Sequence, residues 1–363
     1  MSILLMQGFD VYDVTTQTLP NIIKLWGYGA DRGWDMYGWQ PNNLTWKILE
    51  AEGRRWFGSH FLAGNIGASE ANMMMQMATA SINQPRTGKW RWGVRVRTGP
   101  NTTSSTNTLV YMTNTSGGIK ASGVSIAPNT QVYLTFEVDW VAGTAKLFLN
   151  SNFTTPVFNV AVGAAENFIF YVGHWGSQSP IMVPSAVANS WLGYTDIYFA
   201  VETANDPNPI GLLGPVKITG IKAASVSAPG WSTTDTTYPT PLDVLNTGYG
   251  SDMSKMFSPM AKGDTKANNS ATLRLQTPTP TGDIVGISLV ARATRTNDGD
   301  ASLKLQLTDG TNNGPITTTA LQDTKTALPV INHGVLHKAL DGTTWTAEKL
   351  AALALQITVQ KPS

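Results

Sequence analysis

Hydrophobic and polar residues alternate with a period of two through most of the first two hundred residues. In residues 89–97, KWRWGVRVR, the side chains of Trp90, Trp92, Val94 and Val96 fall on one face of an extended chain, and those of Lys89, Arg91, Arg95 and Arg97 on the other. The same alternation runs through NMMMQMA around Met75, NTLVYMT, QVYLTFEVDW, AKLFLN, NFIFYVG and YTDIYFAV, each short and bounded by Gly, Pro, Asn or Ser. Such text predicts an antiparallel sandwich. Residues 202–213, ETANDPNPIGLL, gather prolines and polar residues and predict a connector. Beyond it GPVKITGI, ATLRLQ, IVGISLVARATR, ASLKLQL and LALQITVQ predict further strands, with Asn297, Asp298, Gly299 and Asp300 as a hairpin turn between two of them. A short helix is expected at TAEKLAAL, capped by Thr344 or Thr346. The expected fold class is all-β, with a larger sandwich domain over 1–213 and a smaller C-terminal β-sandwich over 214–363.

Composition narrows this picture. A chain of 363 residues suits two domains. Charged residues make up 13%, about half of the usual share. A formal net charge of +1 gives no global attraction to nucleic acid or to an anionic membrane, so neither is an expected partner. Cysteine is absent, which excludes disulfides and thiolate chemistry. The start, MSILLMQGFDVYD, carries no basic leader and only a short apolar run, which predicts a chain folded in a cytosol.

The segment QVYLTFEVDW places Val132, Leu134, Phe136, Val138 and Trp140 on one face and Tyr133, Thr135, Glu137 and Asp139 on the other. If this strand joins KWRWGVRVR in one sheet, Glu137 and Asp139 share a face with Arg91, Arg95 and Arg97. Opposite charges across strands contribute about 0.2–1 kcal/mol per pair, enough to favour a register. The basic residues therefore read as an exposed structural row neutralised by its neighbours, and residues 1–213, with 12 Lys/Arg and 13 Asp/Glu, hold no basic surplus.

The Glu-x-Asp strand, its Gly turn and KLFLN resemble the hairpin of the laminin-G and concanavalin-like jelly roll. The opening GFDVYD, the later YTDIYFAVE and the following GLLGPVKITGI are similar to bacteriophage virion proteins that begin with a "DGFDHY"-like phrase and carry such a sandwich before a second β-domain. Thr195-Asp196 stands where that group often has two aspartates, and Val11-Tyr12 replaces its His-Tyr. The resemblance implies a concanavalin-like jelly roll over 1–213 and a structural role in a tailed-phage virion, made and assembled in the host cytoplasm.

Catalytic patterns are sparse. Glu137-Val138-Asp139-Trp140-Val141-Ala142 resembles the Glu-x-Asp-x-x-Glu phrase of laminarinase-type glycosidases, but Ala142 stands at the last position, and retaining hydrolysis needs two carboxyl groups. His60, His174, His333 and His337 are scattered, and no nucleophile elbow, phosphate loop or dinucleotide fingerprint is present. The reading is of a protein that is not an enzyme, with no cofactor and no metal.

Two clusters remain. Met73, Met74, Met75 and Met77 read as gap-filling core residues, with a subunit contact as the alternative. Between Trp26 and Trp56, seven Trp and Tyr residues are interleaved with Gly and Asn. Residues 27–41 read as a surface loop, and Trp34, Tyr37 and Trp39 as interface residues. Together these readings give a non-enzymatic virion component, tail-associated or capsid-decorating, that binds other virion proteins and forms a homo-oligomer in the particle. The alternative is a carbohydrate-binding receptor-recognition protein at the tail periphery, with a glycan as partner.

Overall fold

The computed structural model of the chain describes residues 2–8, 34–39, 44–61, 72–99, 110–174, 191–203, 211–228, 232–233, 240–246, 257–258, 268–292, 301–321 and 330–360. They divide into two compact units, the first reaching Ile218 and the second starting at Thr219.

The strands of the first unit are β1 (Ser2–Gln7), β2 (Trp34–Trp39), β3 (Leu44–Ala51), β4 (Arg54–Phe61), β5 (Asn72–Ala78), β6 (Lys89–Thr98), β7 (Val110–Asn114), β8 (Ile119–Gly123), β9 (Gln131–Asp139), β10 (Thr144–Leu149), β11 (Phe158–Ala161), β12 (Phe168–His174) and β13 (Trp191–Glu202). A large sheet runs β11-β10-β9-β6-β13-β4-β3, with β1 also paired to β13, and a five-stranded sheet runs β2-β5-β12-β7-β8. Every pairing is antiparallel.

Alternation decides what lies between the sheets. Trp90, Trp92, Phe136 and Phe199 point inward from the large sheet and are fully buried against Phe168, Phe170 and Val172 of β12. Trp92 stacks on Phe199 at 5.1 Å and meets Phe170 edge-on across the sandwich at 5.9 Å. Such pairs contribute about 0.5–1.5 kcal/mol beyond their buried area. Met75 and Met77 of β5 are fully buried in the same core. The turn after β9 is held locally: Asp139 Oδ1 accepts from the amides of Val141 and Ala142, at 3.1 and 2.9 Å, and Gly143 takes the left-handed conformation (φ 63°).

One local reading is overturned. Trp34–Trp39 lies inside the segment read as a loop, yet it forms β2, the edge strand of the five-stranded sheet. Pairing with β5 supplies its backbone partners, Trp34 opposite Met77 and Trp39 opposite Asn72, and this outweighs the glycine content that suggested a loop.

The second unit contains β14 (Ala223–Ser227), β15 (Ser232–Thr233), β16 (Phe257–Ser258), β17 (Asn268–Leu275), β18 (Ile287–Arg292), β19 (Ser302–Thr308), β20 (Thr317–Ala320), β21 (Val330–Leu336) and β22 (Ala354–Gln360). Its five-stranded sheet runs β14-β17-β22-β19-β20. Leu273, Leu303, Leu305, Leu307, Leu355 and Val359 form the core, covered by Leu289, Ala291 and Leu336 of the separate β18–β21 pair. The chain is thus all-β, a concanavalin-like jelly-roll sandwich followed by a second, smaller β-sandwich. Because β18 and β19 belong to different sheets, they do not form the expected hairpin, and its turn residues 297–300 lie outside the described residues.

Among the described residues, two short helices interrupt the second unit. α1 (Pro241–Asn246) was not expected. Its sequence carries the signal: Thr240 accepts from the Asp243 amide, Asp243 accepts from the Thr240 amide, and Pro241 fills the first helical position, where no amide hydrogen is needed. α2 (Ala347–Ala351) is capped by Thr346, whose hydroxyl accepts from the Lys349 amide at 3.3 Å.

Candidate functional site

The outer face of the large sheet carries the charge row. β6 and β9 are direct neighbours, with Lys89 opposite Asp139 and Arg91 opposite Glu137. Arg91 Nε donates to Glu137 Oε2 at 2.8 Å, and its Nη1 to Glu202 of β13. Lys89 and Asp139 lie 3.4 Å apart. Arg97 reaches Glu52 in the β3–β4 turn at 2.6 Å and Asn129 at 2.9 Å. Arg95 has no acidic partner on β9, where it faces Tyr133; it pairs instead with Asp196 of β13 at 2.8 Å, and Arg54 of β4 joins the same carboxylate. Asp196 sits at a register shift of β13, in a left-handed conformation (φ 50°), which bends it toward both cations.

This row is not exposed. Arg91, Arg97, Glu137 and Asp196 are buried. Residues 211–218 form a strap against Arg95, Asp196 and Tyr198: Arg95 Nη2 donates to Val216 O at 3.0 Å, the Ile218 amide to Asp196 Oδ1 at 2.9 Å, and Tyr198 OH to Leu213 O at 3.4 Å. Gly93 leaves the middle of the row open for the buried rings of Tyr133 and Tyr198; a Cβ there would stand 2.1 Å from the Tyr198 ring and 2.5 Å from the Tyr133 oxygen. Burial above all drives the Tyr133 phenol well above its ordinary pKa, with Tyr198 and Asp196 adding to the effect. For Asp139, burial opposes ionisation, but the Ala142 amide, Lys89 and the Val141 amide outweigh it and hold the carboxyl below its usual range. Glu137 and Asp196 are engaged by guanidinium groups, so this layer fixes the sheet and its strap.

A different surface lies on the outer face of the five-stranded sheet. The register aligns Gln76 of β5, Tyr171 of β12, Tyr111 of β7 and Ser122 of β8 in one lateral row, and continues it to Asp35 of β2. Gln76 and Tyr171 are half-buried, Tyr111 is buried and Ser122 is exposed. In the adjoining row Tyr37 stands opposite Met74. The side chains of Trp34, Tyr37 and Trp39 lie outside the described residues. Sequence reasoning did not single out Gln76, Tyr111 or Tyr171, since each is one polar position in an alternating strand. Among the described residues no three His, Asp or Glu side chains gather as metal ligands would.

Fold and surface define a jelly-roll sandwich with a polar and aromatic sheet face. No family model matches the chain, and no curated protein does. Solved structures similar to it include an alginate lyase bound to an alginate trisaccharide (12% identity, 55% of this chain and 97% of that one, TM-score 0.35). Others are the catalytic domain of a glycoside hydrolase family 131 protein from Coprinopsis cinerea (13%, 59% and 98%, TM-score 0.33) and a xylan-binding domain from Paenibacillus barcinonensis (11%, 56% and 96%, TM-score 0.27). Identities this low speak to the fold alone. Two expectations are nevertheless corrected. These sandwiches are polysaccharide-cleaving and polysaccharide-binding proteins and none is a virion part, so the reading as a structural virion component is not sustained. The expectation that the chain is not an enzyme is corrected with it, since the similar structures include an alginate lyase and the catalytic domain of a glycoside hydrolase.

Proposed function

We propose that the first unit binds carbohydrate, laying a glycan across the strands of its five-stranded sheet. The observation that carries this reading is the lateral row Gln76–Tyr171–Tyr111–Ser122. A sugar ring offers a C–H face and an edge of hydroxyls; tyrosine supplies both an apolar ring and a hydroxyl, and the glutamine amide both donates and accepts. Neighbouring strands lie about 4.8 Å apart, so five strands span about 19 Å, and along that line Gln76, Tyr171 and Ser122 are the accessible side chains.

The test is a glycan array probed with the full chain, followed by calorimetric titration of Tyr171→Ala and Gln76→Ala with the best ligand. Each variant is expected to weaken binding about tenfold, the equivalent of 1.4 kcal/mol. An array without a hit, or a hit whose affinity both variants preserve, refutes the assignment. The same mixtures, followed for newly formed reducing or unsaturated ends, report whether binding leads to cleavage.

A further inference from the structure

The outer face of the second unit's sheet has a chemistry of its own. One lateral row reads Ser270, Thr358, Lys304 and Thr318, and the next contains Thr272, Gln356 and Gln306. Ser270 and Thr358 hydroxyls lie 3.0 Å apart, linking two strands. Arg274, exposed and aligned with Ala354, is the second cation of the face. None of the face positions on these strands is Asp or Glu, and none is aromatic. Neither Lys304 nor Arg274 forms an ion pair with a described residue.

We infer that this face is a second binding surface, separate from that of the first unit, for an acidic polysaccharide of the polyuronate type. Four physical points select this occupant. The two cations lie two strands apart and four residues apart along β22, a diagonal of about 17 Å, with hydroxyl and amide groups between them. That spacing fits an extended chain of sugars with carboxylates at intervals and hydroxyls between. A protein partner is disfavoured because its binding energy concentrates on buried Trp, Tyr and Arg anchors, and the face offers no aromatic group. Duplex DNA is disfavoured because its affinity comes from many neutralised phosphates, and two cations are too few. Short Ser and Thr side chains also give up less rotamer freedom on binding than long ones.

The experiment titrates the full chain with an oligogalacturonate, a neutral malto-oligosaccharide and duplex DNA, using wild type, the double variant Lys304→Gln/Arg274→Gln, and Tyr171→Ala. Wild type is expected to bind the oligogalacturonate, and to bind it more weakly as salt rises. The double variant should lose about tenfold or more in affinity at an unchanged melting temperature. Tyr171→Ala should bind it as wild type does, which separates this surface from the one proposed on the first unit. The inference is overturned by absent binding, by equal affinity for the neutral sugar or for DNA, by a double variant that binds undiminished, or by a loss confined to Tyr171→Ala.

Discussion

Replacing Asp196 by Asn tests whether the buried charge layer holds the first unit together. The substitution keeps the side-chain shape, and asparagine tolerates the left-handed backbone that Asp196 adopts, so the change is one of charge. Asp196 is 1% exposed and neutralises two guanidinium groups, Arg95 (13% exposed) and Arg54 (21%). Removing one partner of a fully buried pair costs about 3–5 kcal/mol because the remaining charge stays buried. Arg54 is partly hydrated, which screens its share and leaves about 3 kcal/mol. For a domain of this size each kcal/mol moves the melting temperature by about 2–4 °C, so calorimetry on the full chain should show the first unit melting about 6–12 °C lower. Amide exchange at Ile218, which donates to the replaced carboxylate, should accelerate. Adding Arg95→Met removes one uncompensated cation and should recover about 1 kcal/mol. A single variant melting within about 2 °C of wild type would show that the layer contributes little and that the strap is held by something else.

Three further outcomes follow from individual side chains. Gly93→Ala places a methyl group inside the contact distance of two buried tyrosines and should lower stability by about 1–3 kcal/mol, measured by denaturant unfolding. Thr113→Val should raise the melting temperature, because the buried Thr113 hydroxyl has no hydrogen-bond partner among the described residues and an unsatisfied buried group costs on the order of 1 kcal/mol or more. The Asp341 carboxyl is held down at about 2 by hydrogen bonds from Lys349 and Thr343; since its folded pKa is depressed, its contribution is present above the ordinary carboxylate value and disappears as pH falls through about 2. Titration of Asp341 by NMR should give that value in wild type and a higher value, still below the ordinary 3.8 because the Thr343 bonds remain, once Lys349→Ala removes the first cause; an unshifted midpoint in both chains would refute the assignment.

How much of this was legible in the sequence varies with the distance over which each feature is determined. Period-two alternation separates Trp90 and Trp92 from Arg91, and Phe136 from Glu137, because a strand's faces are fixed within the strand. The partner of Arg95 is 101 residues away, on a strand whose bulge cannot be inferred from local pattern. Its trace is nevertheless present: a Thr-Asp pair inside the otherwise apolar YTDIYFAV, and a glycine in the middle of KWRWGVRVR where two rings approach. The row Gln76–Tyr171–Tyr111 assembles three strands far apart in the chain, so no local period marks it. The signal for helix α1 is obscured by the proline and threonine that dominate its surroundings, although Thr240-Pro241 is itself a start signal.

Where the charges go bears on where binding can occur. Only 13% of residues are charged, and in the first unit Arg91, Arg97, Glu137 and Asp196 are drawn inside, with residues 211–218 bonded to Arg95 and Asp196. Buried ion pairs are weak sources of stability compared with apolar packing, but they penalise any register in which a charge loses its partner. The layer therefore specifies how β6, β9, β13 and the strap align more than it strengthens them. What remains outside on the two five-stranded sheets is dominated by hydroxyl and amide groups, with Gln76 and Tyr171 on one and Ser270, Thr272 and Gln356 on the other. Such groups hydrate without the apolar area of a permanent protein interface, and on the second face Lys304 and Arg274 add a positive field. The ligands proposed for them are arrays of hydroxyls, with carboxylates in the second case, and the mutations at Tyr171 on one unit and at Lys304 and Arg274 on the other test each face separately.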